Sequence, residues 1–179
     1  MPDYSPAKST AKSTVSLEIS IEEPRWKSEF PELETLLREA VDNSGVVLTG
    51  KMSKSIEDTE ISVLLSNNDT IQSLNKNYRN KDKPTNILSF PMSAQGDDAP
   101  IIEDDKRPHC LGDLALALDV ILQEARDQGK VPQDHLQHLI VHGFLHLLGY
   151  DHEDDSEAQA MEALEIKILA RIGIKNPYE

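Results

Sequence analysis

Three histidines in the run HGFLHLLGYDH (residues 142–152) stand at the spacing H-x-x-x-H-x-x-G-x-x-H. On an α-helix His142 and His146 lie one turn apart on a single face, so both imidazoles can reach one ion from a rigid support. Gly149 follows, and glycine accepts the left-handed backbone with which a helix ends and the chain turns back. His152 can then bring in a third nitrogen. Three neutral imidazoles suit a zinc ion at about 2.0–2.1 Å, and three protein ligands instead of four leave a position for water or substrate. That is the layout of a catalytic centre. One histidine alone would read as a core residue; three, with the glycine between them, read as a metal site at the end of a helix.

His138 lies one turn before His142 and is open to three readings: an alternative ligand, a group that orients a ligand, or a partly exposed helix residue. Asp151 and Glu153 flank the third histidine, where either can orient an imidazole through its second nitrogen or simply face solvent. Asp113, next to Gly112, can approach from a strand end. His109 and His135 carry no such pattern and read as surface residues.

The histidine and glycine spacing is that of the metzincin zinc peptidases, in which a glutamate follows the first histidine and takes the proton of the attacking water. Here that position is Gly143. Met161 falls inside a predicted terminal helix, so it does not supply the methionine turn of those enzymes either. A phosphodiester makes other demands: a metal activates water or polarises the phosphoryl group, and a cation stabilises the charge that builds on the phosphate oxygens. A cluster of such cations stands in LNKNYRNKDKPTNILSFP (residues 74–91), where Lys76, Arg79, Lys81 and Lys83 precede a short strand. Arg79 closes a predicted helix, and its planar guanidinium can hold a phosphate through two parallel hydrogen bonds. Without the histidines the same run would read as a basic helix end and a solvated turn.

The elements that position these residues follow from periodicity. VSLEISIE (15–22) alternates Val15, Leu17, Ile19 and Ile21 with polar residues, the pattern of a strand with one buried face that Pro24 ends. FPELETLLREAVDNSG (30–45) carries Leu33, Leu36, Leu37, Ala40 and Val41 at helical spacing, with Pro31 near its start and Gly45 just past its end. TEISVLLS (59–66) reads as a second strand. NNDTIQSLNKNYR (67–79) opens on capping residues and sets Ile71, Leu74 and Tyr78 in a helical stripe. TNILSFP (85–91) is a short strand between prolines, and GDLALALDV (112–120) a further one, with Leu114, Leu116 and Leu118 alternating. Three helices are expected over 119–128, 133–148 and 156–172. Strands and helices mingle, which predicts an α/β (α+β) domain: a small mixed sheet packed against about five helices, the histidines at the end of a central one. Residues 15–179 read as that single domain. Residues 1–14, with a tandem AKST, read as a disordered leader.

Composition narrows the function classes. No apolar run approaches the ~20 residues that span a bilayer, the first residues lack a hydrophobic signal core, and the single Cys110 excludes an internal disulfide. These features point to the cytosol. The formal charge of −14 argues against a nucleic-acid partner at first sight. The acids, however, concentrate in 95–105 and 151–165, and the bases in 75–83, so net charge is a poor guide to one local surface.

Three stretches, LNKNYRNKDKPTNILSFP, LGDLALAL and HGFLHLLGYDH, followed by an EAQAMEALEIKIL helix, resemble the YbeY family of rRNA-processing endoribonucleases. The likeness runs from about residue 59 to the C-terminus. It implies a zinc-dependent endoribonuclease that prefers single-stranded RNA, matures ribosomal RNA at the small-subunit 3′ end and takes part in ribosome quality control, with the ribosome or its small-subunit proteins as partners. The family's zinc ligands fall on His142, His146 and His152, and its arginine on Arg79; Lys76, Lys81 and Lys83 are the accompanying candidates for substrate binding. Two other readings stay open at this point: a ribosome-associated assembly factor with a structural zinc, and a metallopeptidase.

Overall fold

The computed structural model describes residues 15–48, 59–92, 109–151 and 154–179. The leader at 1–14, the acidic run at 95–105, His152 and Glu153 lie outside the described residues. Four strands, β1 (Ser16–Ile21), β2 (Thr59–Ser66), β3 (Ile87–Pro91) and β4 (His109–Ala117), form one mixed sheet in the order β1-β2-β4-β3. β1, β2 and β4 run parallel, and β3 closes the far edge antiparallel to β4. The described helices are α1 (Arg25–Glu29), α2 (Leu33–Leu48), α3 (Asn68–Arg79), α4 (Leu118–Asp127), α5 (Pro132–Leu147) and α6 (Asp155–Arg171).

The two-residue period of the strands divides the core. Ile61, Val63, Leu65, Leu114 and Leu116 join the larger cluster with α2, α5 and α6, centred on Leu37, Ile140, Phe144 and Ile168. The alternate residues Leu64, Leu88, Phe90, Ala115 and Ala117 pack with Ile71 and Leu74 of α3. On β3, Ile87 and Ser89 pair with Leu116 and Leu114 and share their face, toward α5, while Leu88 and Phe90 face α3.

The structure departs from the sequence expectations at three places. α2 does not stop at Gly45 but runs on to Leu48, because the glycine is buried and packing outweighs its low helix propensity. α1 was not expected: its five residues are too few to show a period, and Trp26, fully buried, anchors it by donating Nε1–H to the Ser66 carbonyl at 3.0 Å. Leu118 opens α4 instead of ending β4. Among the described residues no helix is long and apolar enough to cross a membrane.

Candidate metal centre and active-site cleft

α5 begins with Pro132 in its first turn, where the missing N–H costs nothing, and ends as Gly149 takes φ +87°. No heavy atom would crowd a Cβ at Gly149, so the backbone angle alone demands the glycine. On this helix the Nε2 atoms of His142 and His146 face each other at 3.0 Å. Two nitrogens bound at about 2.05 Å in a tetrahedral arrangement lie roughly 3.3 Å apart. The pair therefore fits a common zinc-sized ion within a few tenths of an ångström. Among the described residues no group of three His, Cys, Asp or Glu side chains converges as a metal site. The third candidate, His152, is outside them.

The other nitrogen of His142 is already committed. Its Nδ1–H donates to Oε1 of Glu165 at 2.7 Å, which fixes the tautomer and leaves Nε2 with its lone pair toward His146. Glu165 comes from α6 and its side chain is only 1% exposed. Its Oε2 accepts from His138 Nε2 at 3.0 Å and from the Tyr178 hydroxyl. Burial pushes the Glu165 carboxyl up, but the hydrogen bonds from His138, His142 and Tyr178 outweigh it and hold the pKa at about 2. The same burial and the carboxylate push the Tyr178 hydroxyl well above its ordinary value.

This arrangement resolves the readings around the histidines. His138 turns its Nε2 to Glu165, the carboxylate that also holds His142. The carboxylate that orients His142 is Glu165, from α6, while Asp151 lines the cleft beyond the end of α5. His135 is buried, not a surface residue: its Nε2 lies 2.9 Å from Glu124 Oε2, and Glu124 in turn accepts from both ends of its carboxylate the Nδ2 of Asn86 at 3.2 and 3.0 Å. Asp113 pairs across the sheet with Phe90 and does not line the histidine cleft. Glu165 was the residue missed, although a signal existed. Met161, Leu164, Glu165, Ile168 and Leu169 stand at i, i+3, i+4, i+7 and i+8, so the glutamate sits on the buried stripe of α6.

Gly143 faces the sheet. A Cβ there would lie 2.7 Å from Ile87 Cδ1 and 2.8 Å from Leu114 Cδ2, inside contact distance of two packed side chains. The position that holds the peptidase glutamate is thus occupied by sheet packing. Arg79 reaches the same cleft from the end of α3, which packs on the other face of the sheet. Asn67 caps α3 by accepting from Thr70 N–H at 3.0 Å, and Asn80 ends the helix in the left-handed region at φ 56°. The buried Asn75 donates Nδ2 to the Lys83 carbonyl at 2.8 Å and pins the following loop. Arg79, the last helical residue, donates Nη2 to the Ser89 carbonyl on β3 at 2.9 Å. Arg79, Asn86, Ser89, His142, His146 and Tyr150 line one cleft of about 410 Å³. The lysines stand apart from this lining: Lys76 pairs with Asp82 at 2.7 Å, and Lys81 and Lys83 are exposed beside it.

The family model described as endoribonuclease YbeY matches residues 20–173, most of the chain. The chain belongs to the YbeY family. It is 42% identical over 167 residues to the endoribonuclease YbeY of Paramagnetospirillum magneticum, covering 92% of this chain and 98% of that one. The YbeY of Magnetococcus marinus is 55% identical over 123 residues, covering 66% of this chain and 82% of its own. The fold is shared with a Thermotoga maritima protein solved in solution, at a TM-score of 0.53 and 26% identity over 87% of this chain and 88% of that one.

Proposed function

We propose that the chain is a single-strand-specific, zinc-dependent endoribonuclease that acts in ribosomal RNA processing, at the 3′ end of the small-subunit RNA, and in ribosome quality control. The observation that carries this reading is the shared cleft, where Arg79 stands with the converging histidine pair while the sheet fills the position of a peptidase glutamate. Membership of a family described as endoribonucleases supports the reaction class.

Each residue has a distinct task. His142, His146 and His152 hold the ion, which when bound supplies Lewis acidity at the phosphoryl group or an activated water. Glu165 keeps the His142 proton on Nδ1. Arg79 spends one N–H on the Ser89 carbonyl, which fixes the guanidinium plane, and keeps its remaining donors for the non-bridging phosphate oxygens as their charge rises. Lys76, Lys81 and Lys83, outside the cleft lining on the helix end and loop that follow Asn75, contact the RNA backbone without reading sequence, Lys76 exchanging Asp82 for phosphate. The catalytic domain is residues 15–179, preceded by the 1–14 leader, and the protein works in the cytosol on the small ribosomal subunit.

The test is cleavage of a labelled single-stranded rRNA fragment before and after removal of metal by a chelator, then after addition of zinc. Loss and recovery of cutting support the reading; cutting that persists at full rate in zinc-free protein overturns it. Ribosome binding without cleavage would favour a structural zinc in an assembly factor. A scissile-position 2′-deoxy substrate cut at an equal rate would exclude obligatory attack by the 2′-hydroxyl.

A further inference from the structure

The chain does not end at α6. After Arg171 it turns at Gly173, with Ile174 N–H donating to the Leu169 carbonyl at 3.0 Å, and the segment folds back so that Tyr178 reaches the histidine network. Asn176 Oδ1 accepts from Tyr178 N–H at 3.1 Å and closes this last turn. Tyr178 as a residue is 47% exposed, yet its hydroxyl is turned inward onto Glu165. Its ring edge meets the His138 ring with centroids 5.6 Å apart and planes at 84°.

That hydroxyl completes the environment of one carboxylate. Glu165 is buried, and a buried carboxylate must find donors for both oxygens. Oε1 takes His142 Nδ1–H; Oε2 takes His138 Nε2–H and Tyr178 O–H. Two donors on Oε2 fix the plane of the carboxylate and thereby aim Oε1 at His142. The aim matters because the His142 ring is 27% exposed and is not held by packing alone.

We infer that Tyr178, on the C-terminal segment, is a positioning residue of the metal centre: through Glu165 it sets the ring angle and tautomer of His142. The inference rests on the reading of His142 as a metal ligand. Partners one hydrogen bond from a metal ligand typically govern 10–100-fold in affinity, and Tyr178 stands one bond further out, so an effect of about 3–10-fold is expected.

The experiment uses the full chain with zinc ion alone, by competition with a chromophoric chelator, on wild type, Tyr178→Phe and His142→Ala. Thermal melting of the zinc-free proteins and the proton resonance of His142 Nδ1–H are recorded alongside. The proposal expects Tyr178→Phe to lose about 3–10-fold in zinc affinity, with the Nδ1–H resonance shifted and the zinc-free protein still folded at a somewhat lower melting temperature. Wild-type affinity in Tyr178→Phe, with affinity lost in His142→Ala, would overturn it. So would a fall in affinity with the Nδ1–H resonance unmoved, which makes the tyrosine a prop of the fold only. Wild-type affinity in His142→Ala would instead sink the metal-centre reading beneath it.

Discussion

A Cβ placed on Gly143 would lie 2.7 Å from Cδ1 of Ile87, so helix α5 approaches strand β3 as closely as a side chain at this position would forbid. The two histidines therefore project from a helix whose intervening residue is spent on packing. Adding a methyl at Gly143 gains about 1 kcal/mol of helix propensity and costs about 1–3 kcal/mol of overpacking, so Gly143→Ala should be destabilised slightly. Gly143→Glu must also bury an unpaired carboxylate between Ile87 and Leu114, and should lose at least about 3 kcal/mol. Chemical denaturation of both variants measures this. A Gly143→Glu protein as stable as wild type would show that the sheet is not packed against this position.

Glu165 binds His142 through a short hydrogen bond and is itself shielded from water. Glu165→Gln keeps the shape but weakens the acceptor and offers a donor where none is wanted, so zinc affinity should fall about 10–100-fold. Competition against a chelator of known affinity would read the change. An unaltered affinity would mean that His142 needs no partner at Nδ1.

Glu124 links two parts of the fold that flank the cleft, His135 on α5 and Asn86 before β3. Burial pushes its carboxyl up, but the hydrogen bonds from His135 and Asn86 outweigh that and hold it below its ordinary 4.5. A depressed carboxylate contributes stability that is fully present above its unfolded value and is lost as pH falls through the folded one. The gap in melting temperature between wild type and Glu124→Gln should therefore be widest near about pH 6 and shrink toward about pH 3. A gap that stays constant over that range would remove the carboxylate charge from the account.

Much of this was legible in the chain. The Thr59–Ser66 strand is legible at its observed limits, because Ile61, Val63 and Leu65 repeat every second residue and face the larger core. α5 was legible from its proline, its histidines and its terminal glycine, each of which has one physical reason to stand there. What failed depended on tertiary burial. Gly45 reads as a stop until its burial is seen, and His135 reads as exposed until Glu124 is placed beside it. Glu165 hid in an acidic run where most carboxylates are solvated, and only its place on the apolar stripe of α6 marked it. The approach of Arg79 to the histidines joins elements far apart in the chain, so spacing alone could not supply it.

The central claim is a division of labour between the cation and the metal ligands. Its most direct test is cleavage of a labelled single-stranded rRNA fragment by wild type, Arg79→Ala and His142→Ala, each with its zinc content assayed. The account predicts that Arg79→Ala keeps its zinc and loses about 10²–10³ in rate, as expected for removal of a donor to developing charge, while His142→Ala loses both. An Arg79→Ala protein that holds zinc and cuts at the wild-type rate would contradict it.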